Sequence, residues 1–122
     1  MRRAEADTVA AGAQAEALAA DFLAERGLDI VARNYRTRRG EIDLIARDRD
    51  ALVFVEVRQR RSSAFGGAAA SITAAKRRRL VAAAQAYIAS LRREPACRFD
   101  AVVIDGESSV RIEWLRDIIA VD

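Results

Sequence analysis

Asp43 and Glu56 are the two residues of this chain best placed to do chemistry together. Gly40–Arg47 and Ala51–Arg58 each alternate in the manner of a β-strand, and the polar Asp48-Arg49-Asp50 between them suits a tight turn. With a loop of two or four residues, cross-strand partners have numbers that sum to 99, which sets Asp43 opposite Glu56, Glu41 opposite Arg58 and Ile45 opposite Phe54. The other face then pairs Ile42 with Val57, Leu44 with Val55 and Ala46 with Val53, all apolar. A slip of one residue would mix the faces, so the hydrophobic pattern selects this register.

That register carries an electrostatic cost. Opposed side chains stand roughly 4.5–5.5 Å apart at Cβ, and like charges placed so destabilise a sheet. Glu41, Asp43 and Glu56 on one face need compensation. Arg58 supplies part of it, and a hard cation would supply more, because Mg²⁺ is held by one or two carboxylates together with water and phosphate oxygens. Solvated charges on an open sheet face are the alternative. The Ile45–Phe54 pair on the same face argues that this face is partly covered.

The cations around this hairpin are unevenly spread. Arg36, Arg38 and Arg39 precede it, Arg58, Arg60 and Arg61 end it, and Arg77, Arg78 and Arg79 follow the single lysine, Lys76, in a chain with twenty arginines. The planar guanidinium fork matches phosphate oxygens. Basic clusters flanking a carboxylate pair therefore point to a phosphodiester backbone held over a metal. The absence of histidine removes Ser-His-Asp triads, Cys-His pairs and His-ligated zinc. Catalysis would run on carboxylates, lysine or arginine, and a metal would be bound through oxygen.

The elements that must position these groups can be read in order. Ala6–Arg26 reads as a helix with Val9, Leu18, Phe22 and Leu23 on its apolar side and Gly27 at its end. Leu28–Tyr35 forms a first strand, and the hairpin supplies the next two. Ser62–Ala70, with two glycines, reads as a loop with Phe65 as an anchor or base-stacking group. A second helix runs from Ser71 or Thr73 to Arg93, with Leu80, Ala84, Tyr87 and Leu91 on its apolar side and Pro95 closing it. Arg98–Ile104 is a buried fourth strand, Asp105-Gly106 a turn, and Val110–Leu115 a short fifth strand; residues 116–122 form a terminal turn or helix. The fold class is α/β (α+β): a mixed sheet flanked by helices, in the order α-β-β-β-α-β-β.

At 122 residues, with 52% hydrophobic and 32% charged residues, the chain forms one domain. It has no apolar run of the ~18 residues a membrane span needs, and Met1–Glu5 lacks the apolar core of a signal peptide. Cys97 is the only cysteine, expected to be a small buried hydrophobe in a reducing compartment. The expected location is the cytoplasm.

An acidic residue on the second strand and Glu-x-Arg on the third resemble the restriction-endonuclease-like superfamily. More narrowly, the chain resembles the YraN-like group of small bacterial predicted endonucleases, which are similar to Holliday junction resolvases. The resemblance rests on Gly12-x-x-x-Glu16, Arg33-Asn34-Tyr35-Arg36, Gly40-Glu41-Ile42-Asp43-Leu44-Ile45, Phe54-Val55-Glu56-Val57-Arg58, the Lys76 region and Arg98-Phe99-Asp100, and spans nearly all of the chain. It implies that Asp43 and Glu56 bind Mg²⁺ or Mn²⁺, with the Val57 carbonyl as a third ligand, Glu16 as an accessory and Glu41 as a weaker candidate. The superfamily prefers lysine where Arg58 stands. Arginine can position water and stabilise charge but does not lose its proton, so it cannot serve as a base; Lys76 is the other cation able to lean over the site.

The resemblance implies a metal-dependent endonuclease for branched or flapped DNA, with Arg58 and Lys76 stabilising the transition state. Backbone contacts would come from Arg36, Arg38, Arg39, Arg60, Arg61 and Arg77–Arg79. Resolvase-like enzymes cut as dimers, which raises a homodimer, with the Trp114-Leu115 and Ile118-Ile119 region as an interface or as core. A nucleic-acid-binding adaptor of the same fold, working beside a helicase or translocase, is the alternative.

Overall fold

The computed structural model describes residues 3–61, 67–106 and 109–119. Phe65 and the rest of the loop at residues 62–66 lie outside this range, as do residues 120–122. The element order is α1 (Arg3–Glu25), β1 (Asp29–Arg36), β2 (Glu41–Asp48), β3 (Ala51–Arg60), a short 3-10 turn (Ala69–Ser71), α2 (Ala74–Ala89), β4 (Cys97–Asp105) and β5 (Arg111–Leu115). This is the α-β-β-β-α-β-β order expected from the sequence.

The strands lie in chain order in one five-stranded sheet. Only β3 and β4 run parallel, and α2 makes the crossover that a parallel pair requires. Each face of the sheet carries a helix. Ala15, Ala19, Ala20 and Leu23 of α1 pack on Leu44, Ala46, Val53, Val55, Val102 and Ile104. Leu80, Ala83 and Ala84 of α2 pack on Ile42, Ile45, Leu52, Phe54 and Phe99. The buried face of α1 is thus built mainly from alanine, which lets the helix approach closely. Leu18, expected in its apolar stripe, is exposed.

Local chemistry sets the ends of the helices. Gly27, at φ +94°, terminates α1; its N–H bonds Ala24 and the Leu28 N–H reaches Leu23, the paired contacts of a Schellman cap. Thr73 caps α2 by accepting the Lys76 N–H. The second helix ends at Ala89, short of the Arg93 expected. The Ser90 hydroxyl bonds the Tyr87 carbonyl at 2.6 Å and closes the last turn locally, before Pro95 is reached. Leu91 lies beyond the helix and is exposed. Cys97, expected inside, is exposed as well.

Two other expectations resolve into packing. Trp114 lies against the α1-side core and Ile118 and Ile119 against the α2-side core, so these residues serve the fold. Residues 116–119 form no helix. The fully buried Asp100 organises this end: it accepts from Trp114 Nε1 (2.9 Å), the Asp117 N–H (2.9 Å) and Arg98 Nε (3.1 Å). A buried carboxylate is tolerable only with such a set of donors.

The β1–β2 turn is pinned to α2. Thr37 and Gly40 are bound through both backbone and the Thr37 hydroxyl, and a Cβ at Gly40 would overlap the Arg79 carbonyl. Glycine is needed there because the turn and the helix backbone are in contact. Gly40→Ala should destabilise the protein by about 1–3 kcal/mol through overpacking, read as a lower urea midpoint at unchanged slope.

Candidate active site

The β2–β3 ladder follows the expected register from Asp48–Ala51 to Leu44–Val55 and stops there. Beyond it, β2 is held by β1 through Ile42–Tyr35 and Glu41–Arg36, and β3 by β4 through Glu56–Ala101 and onward. The Val57 N–H donates to Asp43 Oδ2 at 2.7 Å. A side chain has replaced a backbone carbonyl as acceptor. The alternation of β2 breaks at the same point: Ile42 packs with the α2-side core, whereas Leu44 and Ala46 pack with the α1-side core. Ile42 therefore leaves the face expected for it.

The neighbouring strand accommodates this break. The β1–β2 register shifts between Ile30 and Ala32 and then runs unbroken through Arg33–Leu44 and Tyr35–Ile42, which places Asn34 across from Asp43. Asn34 has φ +53°, a left-handed conformation that asparagine tolerates better than most residues. Its side chain acts on Glu16, favouring the carboxylate form. Sequence reasoning missed this residue as part of the site. A short polar side chain inside an otherwise regular strand was the available signal.

Glu41, Asp43, Glu56, Val57, Lys76 and Arg79 line one pocket of about 230 Å³. Burial pushes the Asp43 carboxyl above its ordinary range, against the Val57 N–H that favours its anion. Glu56 is pushed up to about 7, first by burial and then by the Asp43 charge, with Lys76 opposing both. The two carboxyl groups are hydrogen-bonded to each other, so the pair retains a proton near neutrality. Two close carboxylates that share a proton present the oxygen donors a hard cation would take, with water and phosphate completing its shell. Among the described residues no cluster of three or more acidic, histidine or cysteine side chains forms a ready metal cage. A hard divalent cation at this pocket would therefore rest on the two carboxylates and depend on water and substrate oxygens for the rest of its shell.

The remaining expected residues divide into three groups. Glu41 lines the pocket and lies 3.7 Å from Arg36 and 4.0 Å from Arg79, rather than beside Arg58 as the extended register required. Glu16 is half-buried outside the lining; burial and the Asp43 charge raise its pKa, and its Oε1 is buried without a partner. Arg38, Arg39 and Arg78 are exposed, and Arg77 is half-buried.

Arg58 and Arg61 line a neighbouring pocket of about 420 Å³ with Gln59, Arg60, Gly67, Ala70 and Ser71. Arg60 is also tied into the fold. Its Nε and Nη2 bind Asp105 at 2.6 and 2.9 Å, and both side chains are largely buried at the end of β3 and β4. Lys76 and Arg79, not Arg58, are the cations that line the carboxylate pocket.

The geometry can now be set beside known proteins. The family model described as "Uncharacterised protein family UPF0102" matches residues 15–104. A UPF0102 protein of Nitrosospira multiformis is 54% identical over 106 residues, covering 87% of this chain and 89% of its own. One from Dechloromonas aromatica is 53% identical over 120 residues, covering 98% and 97%. The chain belongs to UPF0102. The matched span of the UPF0102 model contains Glu16, Asn34, Asp43, Glu56 and Lys76, so the whole pocket lies inside the family core. No helix among the described residues is long and apolar enough to cross a membrane.

The raised Glu56 carboxyl has a thermodynamic signature. In the unfolded chain it titrates near 4.5 and in the native protein near 7. Between these values the native state binds more protons, so stability falls as pH rises across the window. In EDTA, wild type should lose about 1–3 kcal/mol relative to Glu56→Gln between pH 4.5 and 7.5, after allowance for partial exposure. Urea melts of both proteins at the two pH values measure the difference.

Proposed function

We propose that this protein is a metal-dependent endonuclease that hydrolyses phosphodiesters in DNA, with branched or flapped DNA as its substrate. One observation carries the reading: two carboxylates on adjacent strands meet a lysine and an arginine in a single pocket. Asp43 and Glu56, with the Val57 carbonyl, would hold Mg²⁺ or Mn²⁺. The ion would supply Lewis acidity toward a phosphate oxygen and a lowered pKa for bound water.

The chain's own groups provide the rest. The Val57 N–H fixes one Asp43 oxygen and so orients the other toward the pocket. The Lys76 ammonium, beside both carboxylates, offers donors to a non-bridging phosphate oxygen as charge builds there. Arg79, with Arg36, Arg38 and Arg39 on the adjoining turn, gives the backbone a basic approach to the pocket. Hydrolysis forms a bond from a water oxygen to phosphorus and breaks one P–O ester bond. The water's proton is released to solvent, and the departing oxygen is protonated in turn. Arg58 lies in the neighbouring pocket, where it can contact the flanking phosphate.

The site also supports a second reading on a specific observation, since among the described residues no three acidic side chains close into a metal cage and arginine stands at the Glu-x-Arg position. In that reading the protein is an adaptor that binds branched DNA beside a helicase or translocase without cutting it.

Cleavage of a labelled four-way junction, a flap and a linear duplex with Mn²⁺ tests the proposal. Wild type should cut, with Asp43→Asn down by at least about 100-fold and Lys76→Ala by about 10²–10³-fold. Equal cutting by wild type and Asp43→Asn would remove the assignment. Junction binding with no cutting by any variant would favour the adaptor.

A further inference from the structure

Four arginines that no sequence cluster joins meet at the far end of the hairpin. Arg26, Arg49, Arg98 and Arg116, with Leu28 and Asp48, line a pocket of about 380 Å³. They come from the end of α1, the β2–β3 turn, the start of β4 and the end of β5. The lining holds one carboxylate, and it is already engaged: Asp48 accepts from Arg98 Nη1 at 2.9 Å.

These cations are held in place. The Arg26 guanidinium lies 3.5 Å from the Phe22 ring centroid and the Arg116 guanidinium 3.9 Å from that of Trp114. The two rings pack edge to face with centroids 6.5 Å apart. Each of these two guanidinium groups is thus held against an aromatic ring, with less side-chain entropy left to lose on binding. Arg98 is fixed by Asp48 and the buried Asp100, and its Nη2 is buried without a hydrogen-bond partner, so Arg98 serves mainly to hold the floor of the pocket. Arg49 occupies the turn at φ +57°, where asparagine or glycine would be more comfortable.

We infer that this pocket is a second phosphate-binding site, which holds the backbone of the same nucleic acid away from the carboxylate pocket. The inference rests on nucleic acid as substrate, as proposed above. Asp43 and Asp48 stand on one strand five residues apart, roughly 17 Å. At 3.4 Å per nucleotide along one DNA strand, the two contacts are at least about five nucleotides apart. A substrate seated at the carboxylates would thus be gripped again on one flank, across the full length of the β2–β3 hairpin. None of these four arginines was expected from the sequence to contact phosphate.

The test measures binding in EDTA, so it is independent of cleavage: a protein that fails to cut leaves this inference standing. Fluorescence anisotropy of a labelled duplex and a four-way junction is recorded against salt for wild type, Arg26→Gln/Arg116→Gln and the exposed control Arg92→Gln/Arg93→Gln. The first pair should weaken binding by about tenfold or more and reduce the slope of log K against log salt by about 2. The control should match wild type. Arg49→Asn separates fold from binding, because asparagine suits the turn: its thermal midpoint should hold or rise while DNA affinity falls about threefold.

Affinity and slope unchanged in both the paired variant and Arg49→Asn would overturn the inference. Titration with inorganic pyrophosphate distinguishes the source of the phosphate. Pyrophosphate that displaces DNA from wild type and fails to bind the paired variant supports the assignment. Pyrophosphate binding lost in that variant with DNA binding intact would assign the pocket to a free phosphate compound and overturn it.

Discussion

The site depends on one hydrogen bond, from the Val57 amide to the Asp43 carboxylate. In a regular hairpin that amide would serve the ladder. Diverting it to a side chain ends the β2–β3 pairing at Leu44–Val55 while both strands remain held by their outer neighbours. The place where the sheet stops pairing with itself is where carboxyl oxygens become available to another partner. The change of face between Ile42 and Leu44, the left-handed Asn34 and the entry of Lys76 from α2 are all accommodations to that local departure.

The electrostatics follow from the same geometry. Two carboxyl groups brought together under a lysine cannot both ionise freely, so one proton stays where a cation could go. A metal that binds here must displace that proton, and its affinity is thereby coupled to pH. The close contact between Gly40 and Arg79 supports this arrangement from outside: it fixes the first half of α2 against the start of β2, which sets the distance from Lys76 to the carboxylates. A backbone contact thus governs the reach of a charged side chain.

Much of the fold was legible because it rests on periods of two and 3.6. The register of the hairpin, the end of α1 at Gly27, the buried β4 and the order of elements all came from local pattern. Asp43, Glu56 and Lys76 were legible as candidates because they stand out by type and position. What escaped the sequence depends on choices between partners. Nothing local says that Val57 will prefer a side chain to a carbonyl, that Ser90 will close a helix before Pro95 does, or that Arg60 will turn to an aspartate far along the chain. Arg26, Arg49, Arg98 and Arg116 escaped for a related reason. They are scattered over four elements, and only folding makes them neighbours.

The single parallel pairing has a bearing on how the chain reaches this structure. β1, β2 and β3 are joined by short turns, so the strands carrying Asp43 and Glu56 can meet through local contacts. Joining β3 to β4 matches Leu52 with Cys97 and must close the whole crossover through α2. Such non-local pairings set the pace of folding because their loop entropy is lost before contacts compensate it. Asp43 and Glu56 are thus brought together by the most local pairing in the sheet, whereas Lys76 reaches them only through the α2 crossover, so the charge that offsets the pair is supplied by the least local part of the topology.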